Sequence, residues 1–295
     1  MRQNGADDDF NGSEPWVILN PIEQGIKRKI ESVGIPLKEW DVRINYGIKT
    51  GFNNAFIIST EKRNEIMANC LTEEERLRTE ELIRPILRGR DIKRYGYEWA
   101  GKYLIATFPS RHYDIEEYPA VKRYLLSIGI EKLEQSGKIY SLLGKEVRAR
   151  KKTMHKWFET QDSISYWDDF SKPKIVWGNL NLRASYALIS DPIFINAPAS
   201  MIVSDNKFLL AVLNSKLADF YIRLLGVTRN GGYLEYKPMF VGLLPVPCFQ
   251  IGSEAYRQME MLLDQADEVR INQLTYSIYG LSEEEILCIE SEICN

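Results

Sequence analysis

The chain has 295 residues, 38 lysines and arginines against 41 aspartates and glutamates, and a formal net charge of −3. Its 44% hydrophobic and 27% charged residues are the composition of a folded globular protein and exclude a disordered chain. The mild acidity argues against a polyanion as partner only if the charge is evenly spread, and it is not. Residues 1–14 hold one base (Arg2) and four acids, and residues 253–295 hold two bases and ten acids. Residues 15–252 are left with 35 bases and 27 acids, a net of +8 that can steer binding to phosphate.

The four cysteines, Cys70, Cys248, Cys288 and Cys294, form no C-x-x-C, and only His112 and His155 could join them as soft ligands. That excludes a zinc finger or a disulfide framework, and predicts no bound metal and a reducing compartment. No basic-then-apolar leader opens the sequence, and no apolar run reaches the roughly 18 residues of a membrane span. The expectation is a cytoplasmic protein with no membrane partner.

In chain order, residues 1–15 are polar and rich in Gly and Asp, and read as a flexible lead-in. From Pro21, Ile22, Ile26, Ile30 and Val33 recur at helical spacing up to Gly34, with Asn20 placed to cap and Pro21 at the first helical position. Short extended segments follow at Asp41–Tyr46, Asn54–Ser59 and Lys102–Phe108. Between the last two, Thr72…Glu75 is a capping box that predicts a helix running through Leu82, Ile83, Ile86 and Leu87. Pro119 opens a helix with Val121, Tyr124, Leu125 and Ile128 on one side.

Residues 137–172 are polar and strongly basic. After them Lys174–Leu180, Ser185–Ser190 and Ile193–Val203 read as strands. Asp205 is placed to cap an apolar helix from Lys207 to Leu225, closed by Gly226. A Gly231-Gly232 turn leads to Leu243–Pro247. One long helix from about Ser253 to Tyr276 and a second opened by Ser282…Glu285 form the acidic end. The predicted fold class is α+β, short mixed or antiparallel strands packed with helices. The predicted domains are the lead-in, a body over 16–250 and a helical tail over 251–295 that serves docking or scaffold.

The motifs of common enzymes are missing. There is no P-loop, no G-x-G-x-x-G after a strand, no H-E-x-x-H and no G-x-S-x-G. Asn20-Pro21-Ile22-Glu23 comes nearest to an adenine-methylating Asn-Pro-Pro-Tyr loop. It lacks the second proline and the stacking aromatic, and reads as a helix cap. Asp168-Asp169 and Glu283–Glu285 are neighbours in sequence, which on a helix do not face one another. No residue is assigned a catalytic role, and the chain reads as a binding module.

Binding chemistry is plentiful by contrast. Lys145–Lys156 holds six bases and one acid and is followed by Trp157 and Phe158. A second cluster is Arg84, Arg88, Arg90, Lys93 and Arg94, and a third is Arg223, Arg229 and Lys237. In Tyr46–Phe56, two glycines flank Lys49-Thr50, either a plain β-turn or a loop whose N–H groups suit a phosphate; Asn53 and Asn54 could offer amides to an adenine edge.

The order of several segments resembles the C-terminal specificity domain of TaqI-type adenine-N6 DNA methyltransferases and of fused type II restriction–methylation enzymes. They are Tyr46–Phe56, Ile86-Leu-Arg-Gly-Arg-Asp-Ile-Lys-Arg-Tyr95, Lys172–Val176, Leu213–Leu217, Gly231-Gly232-Tyr233, Leu244–Pro247 and Leu274–Ile286. The resemblance spans about residues 16–290 and implies recognition of double-stranded DNA in a bacterial restriction system. It also implies a catalytic methyltransferase domain or subunit, absent from this chain, that would bind S-adenosylmethionine and take a flipped adenine. On that reading phosphate contacts fall to Lys49, Arg88, Arg90, Arg94, Arg148, Arg150, Lys151 and Lys152. Base contacts fall to Asn53, Asn179, Asn181, Arg183 and Tyr233. Two other readings are a type I-like specificity subunit acting in trans and a free-standing metal-dependent nuclease built on Asp168-Asp169…Lys172-x-Lys174.

Overall fold

In the computed structural model, which describes residues 19–142, 144–225 and 230–294, Asn20 caps the first helix, Pro21–Val33. Its side chain accepts from the Glu23 N–H (2.9 Å) while the Glu23 carboxylate accepts from the Asn20 N–H (2.7 Å), the reciprocal bonds of a capping box. The lead-in expected over residues 1–15, the Gly226 helix stop and Arg229 lie outside the described residues.

Two four-stranded sheets organise the body. The first runs in the order Tyr186–Ile189, Lys174–Trp177, Ser200–Val203, Arg43–Tyr46, antiparallel throughout. The second runs Phe194–Ile195, Ile83–Leu87, Lys102–Ile105, Ile57–Ser59, with its first pairing parallel and the others antiparallel. Side chains alternate across a strand, and the first sheet uses this to divide two cores. Ile175, Trp177, Tyr186 and Ile202 face one core; Val176, Ala187, Ile189 and Met201 face the other.

The first core holds Ile26 and Ile30 of the first helix together with Phe208, Leu213 and Phe220. It also takes Tyr256, Met259, Ile271, Tyr279 and Ile289 from the C-terminal helices. The second core lies between the second sheet and the helices Thr60–Ala68, Glu73–Leu82 and Pro119–Ile128, around Phe56, Leu104, Val121 and Phe194. An α+β fold of short strands and packed helices results, as the sequence predicts.

Five segments differ from the sequence expectation, each for a local reason. The helix after Thr72 stops at Leu82, and Ile83–Leu87 is a strand of the second sheet. Pro85 lacks the N–H a helix needs and its ring would clash with the preceding turn. Asn53–Phe56 is a helical turn rather than a strand, set by Thr50, whose hydroxyl accepts from the Phe52 N–H (3.1 Å).

The stretch Ile193–Val203 is two strands, one in each sheet, joined by a turn at Asn196–Ala199 that contains Pro198. The apolar helix is capped by Asn206 instead of Asp205 and divides into Lys207–Leu213 and Lys216–Leu224. At the division, the Asn214 side chain pairs both backbone groups of Tyr186 at 2.9 Å, taking the place of a strand partner. The tail helix likewise divides into Glu254–Asp264 and Glu268–Ile278, with Ala266 at φ +53 and Asp267 capping the second piece. The Ser282…Glu285 box opens Glu283–Cys294.

Candidate nucleic-acid interface

Strand register brings several chain reversals to one end of the two sheets. Tyr46 and Trp177 both pair with Ser200, and Leu87 pairs with Ile195. The loops that follow or precede these residues, Gly47–Gly51, Arg88–Asp91, Gly178–Arg183 and Asn196–Ala199, therefore lie side by side. Backbone bonds lock them: Gly47 N–H to the Ala199 carbonyl (2.8 Å), Ala197 N–H to Ile48 (3.0 Å) and Asn196 N–H to Leu87 (2.8 Å). Gly47 is required here, because a Cβ would stand 2.7 Å from the backbone of Asn196, Ala197 and Ala199.

The Gly47–Gly51 loop and the Asn196–Ala199 turn border an open cleft of about 450 Å³ lined by Lys49, Thr50, Asn53, Asn54, Gln161 and Asn196, among others. Gly51 turns with φ +78, the position a β-turn reserves for glycine, and packs against Gln161 and the Arg150 stem. Lys49 and Asn53 are exposed at the rim, and the Asn53 side chain accepts from the buried Thr50 hydroxyl (2.7 Å). Gln161 and Asn196 join the cleft from distant segments. Nothing in their sequence context marks them beyond the turn residues around Asn196.

The basic segment adjoins this cleft. The hairpin Ile139–Leu142 with Lys145–Arg148 carries it, and Gly137 N–H bonds the Arg150 carbonyl (2.9 Å). Arg148, Lys151 and Lys152 are exposed. Arg150 corrects the sequence reading: it is 4% exposed and cannot reach a phosphate. Its guanidinium donates to the carbonyls of Leu133 (2.7 Å), Thr50 (2.9 Å), Glu159 (2.7 Å) and Trp157 (2.7 Å), and lies over the Phe56 ring. Burial lowers its pKa to about 10, partly offset by the nearby Glu159 carboxylate, and all four of its hydrogen bonds go to carbonyls.

The second basic cluster is divided in its roles. Arg90 is exposed. Arg88 instead grips Asp91 with two bonds (2.9 and 2.7 Å), and Asp91 also accepts from the Arg88 N–H, which shapes the loop. Burial pushes the Asp91 carboxyl up, but the Arg88 bonds outweigh it and leave its pKa below the usual range. Arg94 is likewise engaged, forked onto Glu268 (2.8 and 3.1 Å) with a further bond to the Ala184 carbonyl (3.0 Å).

Among the expected base-contacting residues, Asn179 accepts from the Ser200 hydroxyl (3.0 Å) and Asn181 donates to the Gly178 carbonyl (2.8 Å). Arg183 and Tyr233 are exposed at the end of a short antiparallel ribbon made by Leu180–Asn181 and Leu234–Glu235. The acidic site sketched for a nuclease is structural: Asp169 is 1% exposed and bonded to Arg43 (2.9 Å), Asn45 (3.0 Å) and Lys172 (3.0 Å). Lys174 is buried and donates to the carbonyls of Phe170 (2.7 Å) and Asp191 (2.8 Å). Among the described residues no three Asp, Glu, His or Cys side chains gather as a cation site.

The sequence profile of the TaqI-like C-terminal specificity domain matches residues 84–246. The type II methyltransferase M.XhoI of Xanthomonas vasicola is 23% identical over 284 residues, covering 93% of this chain and 47% of that protein. M.PaeR7I of Pseudomonas aeruginosa is 22% identical over 281 residues, covering 93% and 44%. The chain thus spans about half the length of the curated relatives it matches. Its fold is shared with the type IIL restriction-modification enzyme MmeI, solved in complex with DNA (TM-score 0.56, 12% identity, 85% of this chain and 34% of that one). It is shared too with the type IIG restriction endonuclease BpuSI (TM-score 0.53, 13% identity, 93% and 32%).

Proposed function

Because the chain belongs to the TaqI-like C-terminal specificity domain family, we propose that it recognises a specific sequence in double-stranded DNA. It serves as the specificity region of an adenine-N6 methyltransferase or restriction–modification enzyme. The observation that carries this reading is the convergence of the Gly47–Gly51, Arg88–Asp91, Gly178–Arg183 and Asn196–Ala199 loops at one end of the sheets, with exposed cations around them.

Lys49, Arg90, Arg148, Lys151 and Lys152 neutralise phosphates, releasing counterions as they bind. Arg88, Arg94 and Arg150 act one step back, holding the loops in place through Asp91, Glu268 and the Thr50 carbonyl. Asn53 at the cleft rim and Arg183 and Tyr233 on the ribbon meet base edges. Asn179 and Asn181 set the turn that presents the ribbon. The catalytic partner, covalently joined or in trans, binds S-adenosylmethionine and receives the adenine. The complex works in the bacterial cytoplasm, in defence against foreign DNA.

Phosphate-driven binding carries a salt signature. Affinity of the full chain for duplex DNA should fall linearly on a log–log plot against salt, with a slope of about −4 to −5 for five phosphate contacts. Affinity that stays level between about 50 and 200 mM salt rejects the reading.

A further inference from the structure

The ribbon of Leu180–Asn181 with Leu234–Glu235 has two unlike faces. Leu180 stands opposite Glu235 and Asn181 opposite Leu234, and Leu182 and Tyr233 adjoin the last pair at the same end. Leu234 is fully buried and Tyr236 1% exposed, so the face shared by Asn181 and Leu234 turns inward. Leu180 (51% exposed) on the other face, with Leu182 (52%) and Tyr233 (40%) at the ribbon's end, are three large apolar side chains turned to water. Outward positions of an exposed ribbon are ordinarily charged or polar, since apolar ones invite association.

The surroundings identify what covers this face. Arg183 follows directly and is exposed. The Arg90 loop lies alongside, Gly89 being so near that a Cβ on it would stand 3.6 Å from the Gly178 Cα. The carboxylate on this face, Glu235, is engaged by Lys237 at 2.8 Å. An apolar strip bordered by cations complements a surface that offers methyl groups between phosphates. The major groove is that surface: it admits a two-stranded ribbon, and its apolar feature is the thymine 5-methyl group.

Resting on the DNA-binding function proposed above, we propose that this ribbon enters the major groove and that Leu180, Leu182 and Tyr233 read thymine by contact with its 5-methyl group. Discrimination at those positions then depends on the methyl group and not on a hydrogen bond. The inward amides of Asn179 and Asn181 hold the ribbon at its base through Ser200 and Gly178.

The test uses the full chain and the duplex it enriches from a randomised pool. Deoxyuridine replaces each thymine of that duplex in turn, which removes the methyl group and leaves every hydrogen-bonding group unchanged. The expected result is a threefold to tenfold loss of affinity at one or more thymines. Leu180→Ala and Leu182→Ala should each weaken the thymine duplex by a similar factor and bind the uracil duplex as the unaltered chain does. Both leucines are exposed, so the variants should melt with the parent, and the base substitution involves no change to the protein.

Sequence-specific binding that is indifferent to uracil at every position overturns the proposal while sparing the DNA-binding function. So does an enriched sequence with no thymine. Leucine variants that bind DNA normally but lose self-association or association with a methyltransferase domain assign the face to a protein and also overturn it. No sequence preference at all overturns the function and the proposal together.

Discussion

Arg150 donates a guanidinium N–H to the Thr50 carbonyl across 2.9 Å, tying the basic segment to a glycine loop 100 residues earlier. A side chain that looks like a phosphate contact in sequence is an internal brace that sets the basic segment beside the glycine loop. Arg150→Met would remove hydrogen bonds to four carbonyls, of which only Thr50 and Glu159 keep another donor, the Gln161 N–H (3.2 Å) and the Gln135 amide (3.1 Å). It should destabilise the fold by about 3 kcal/mol or more. Arg150→Lys keeps the cation but loses the planar fork and should recover only part of that. Chemical denaturation of both variants measures the effect; a loss under about 0.5 kcal/mol for the methionine variant would remove the bracing role.

Lys151 and Lys152, next in sequence, are exposed and should behave in the opposite way. Changing both to alanine is expected to leave the melting temperature unchanged and to make the salt slope of DNA binding shallower by about 2. The loss of affinity should be about equal across sequences, as it is for contacts to phosphate. A lowered melting temperature with an unchanged slope would place these lysines in the fold rather than on the DNA.

Arg94 separates the same two roles at a different place. Its fork onto Glu268 joins the body to the C-terminal helices. Arg94→Ala should cost stability on the order of 1 kcal/mol and leave the salt slope at the parent value. Titration of DNA binding against salt checks this directly, and a slope shallower by about 1 would return Arg94 to the phosphate contacts.

Lys174 gives the fold a pH dependence of known sign. It is fully buried among carbonyls, and burial lowers its pKa to about 8, against about 10.4 in the unfolded chain. Between these values the unfolded state binds the extra proton, so the lysine's contribution to stability rises with pH. Below pH 8 the cation carries its full burial penalty. Comparing the chain with its Lys174→Met variant cancels the other titrating groups. From pH 7 to pH 9.5 the difference should move toward the parent by on the order of 2 kcal/mol, and a constant difference would mean the amine stays charged.

The elements were legible where one local rule decides them. Asn20 with Pro21, Thr72 with Glu75, Ser282 with Glu285 and the apolar spacing after Pro119 each give a helix start that holds in the structure. Segments went differently where a distant partner or a single backbone constraint prevails. Pro85 turns an apolar helical continuation into a strand, and Asn214 breaks a helix because its amide pairs with Tyr186.

The interface was legible as composition and not as geometry. Spacing shows that Arg88, Arg94 and Arg150 are basic, but not that Asp91, Glu268 and the Thr50 carbonyl engage them. Gln161 and Asn196 reach the cleft through pairings made far from them in sequence, and Leu180 looks like an ordinary strand residue until its pairing with Glu235 turns it outward.

Sequence selection by this chain is the claim on which the account rests, and affinity selection from a randomised duplex pool at about 150 mM salt addresses it without a catalytic partner. The account predicts that one short sequence enriches, and that it binds at least about a thousandfold more tightly than a scrambled duplex of equal composition. Equal affinity for the two would contradict it.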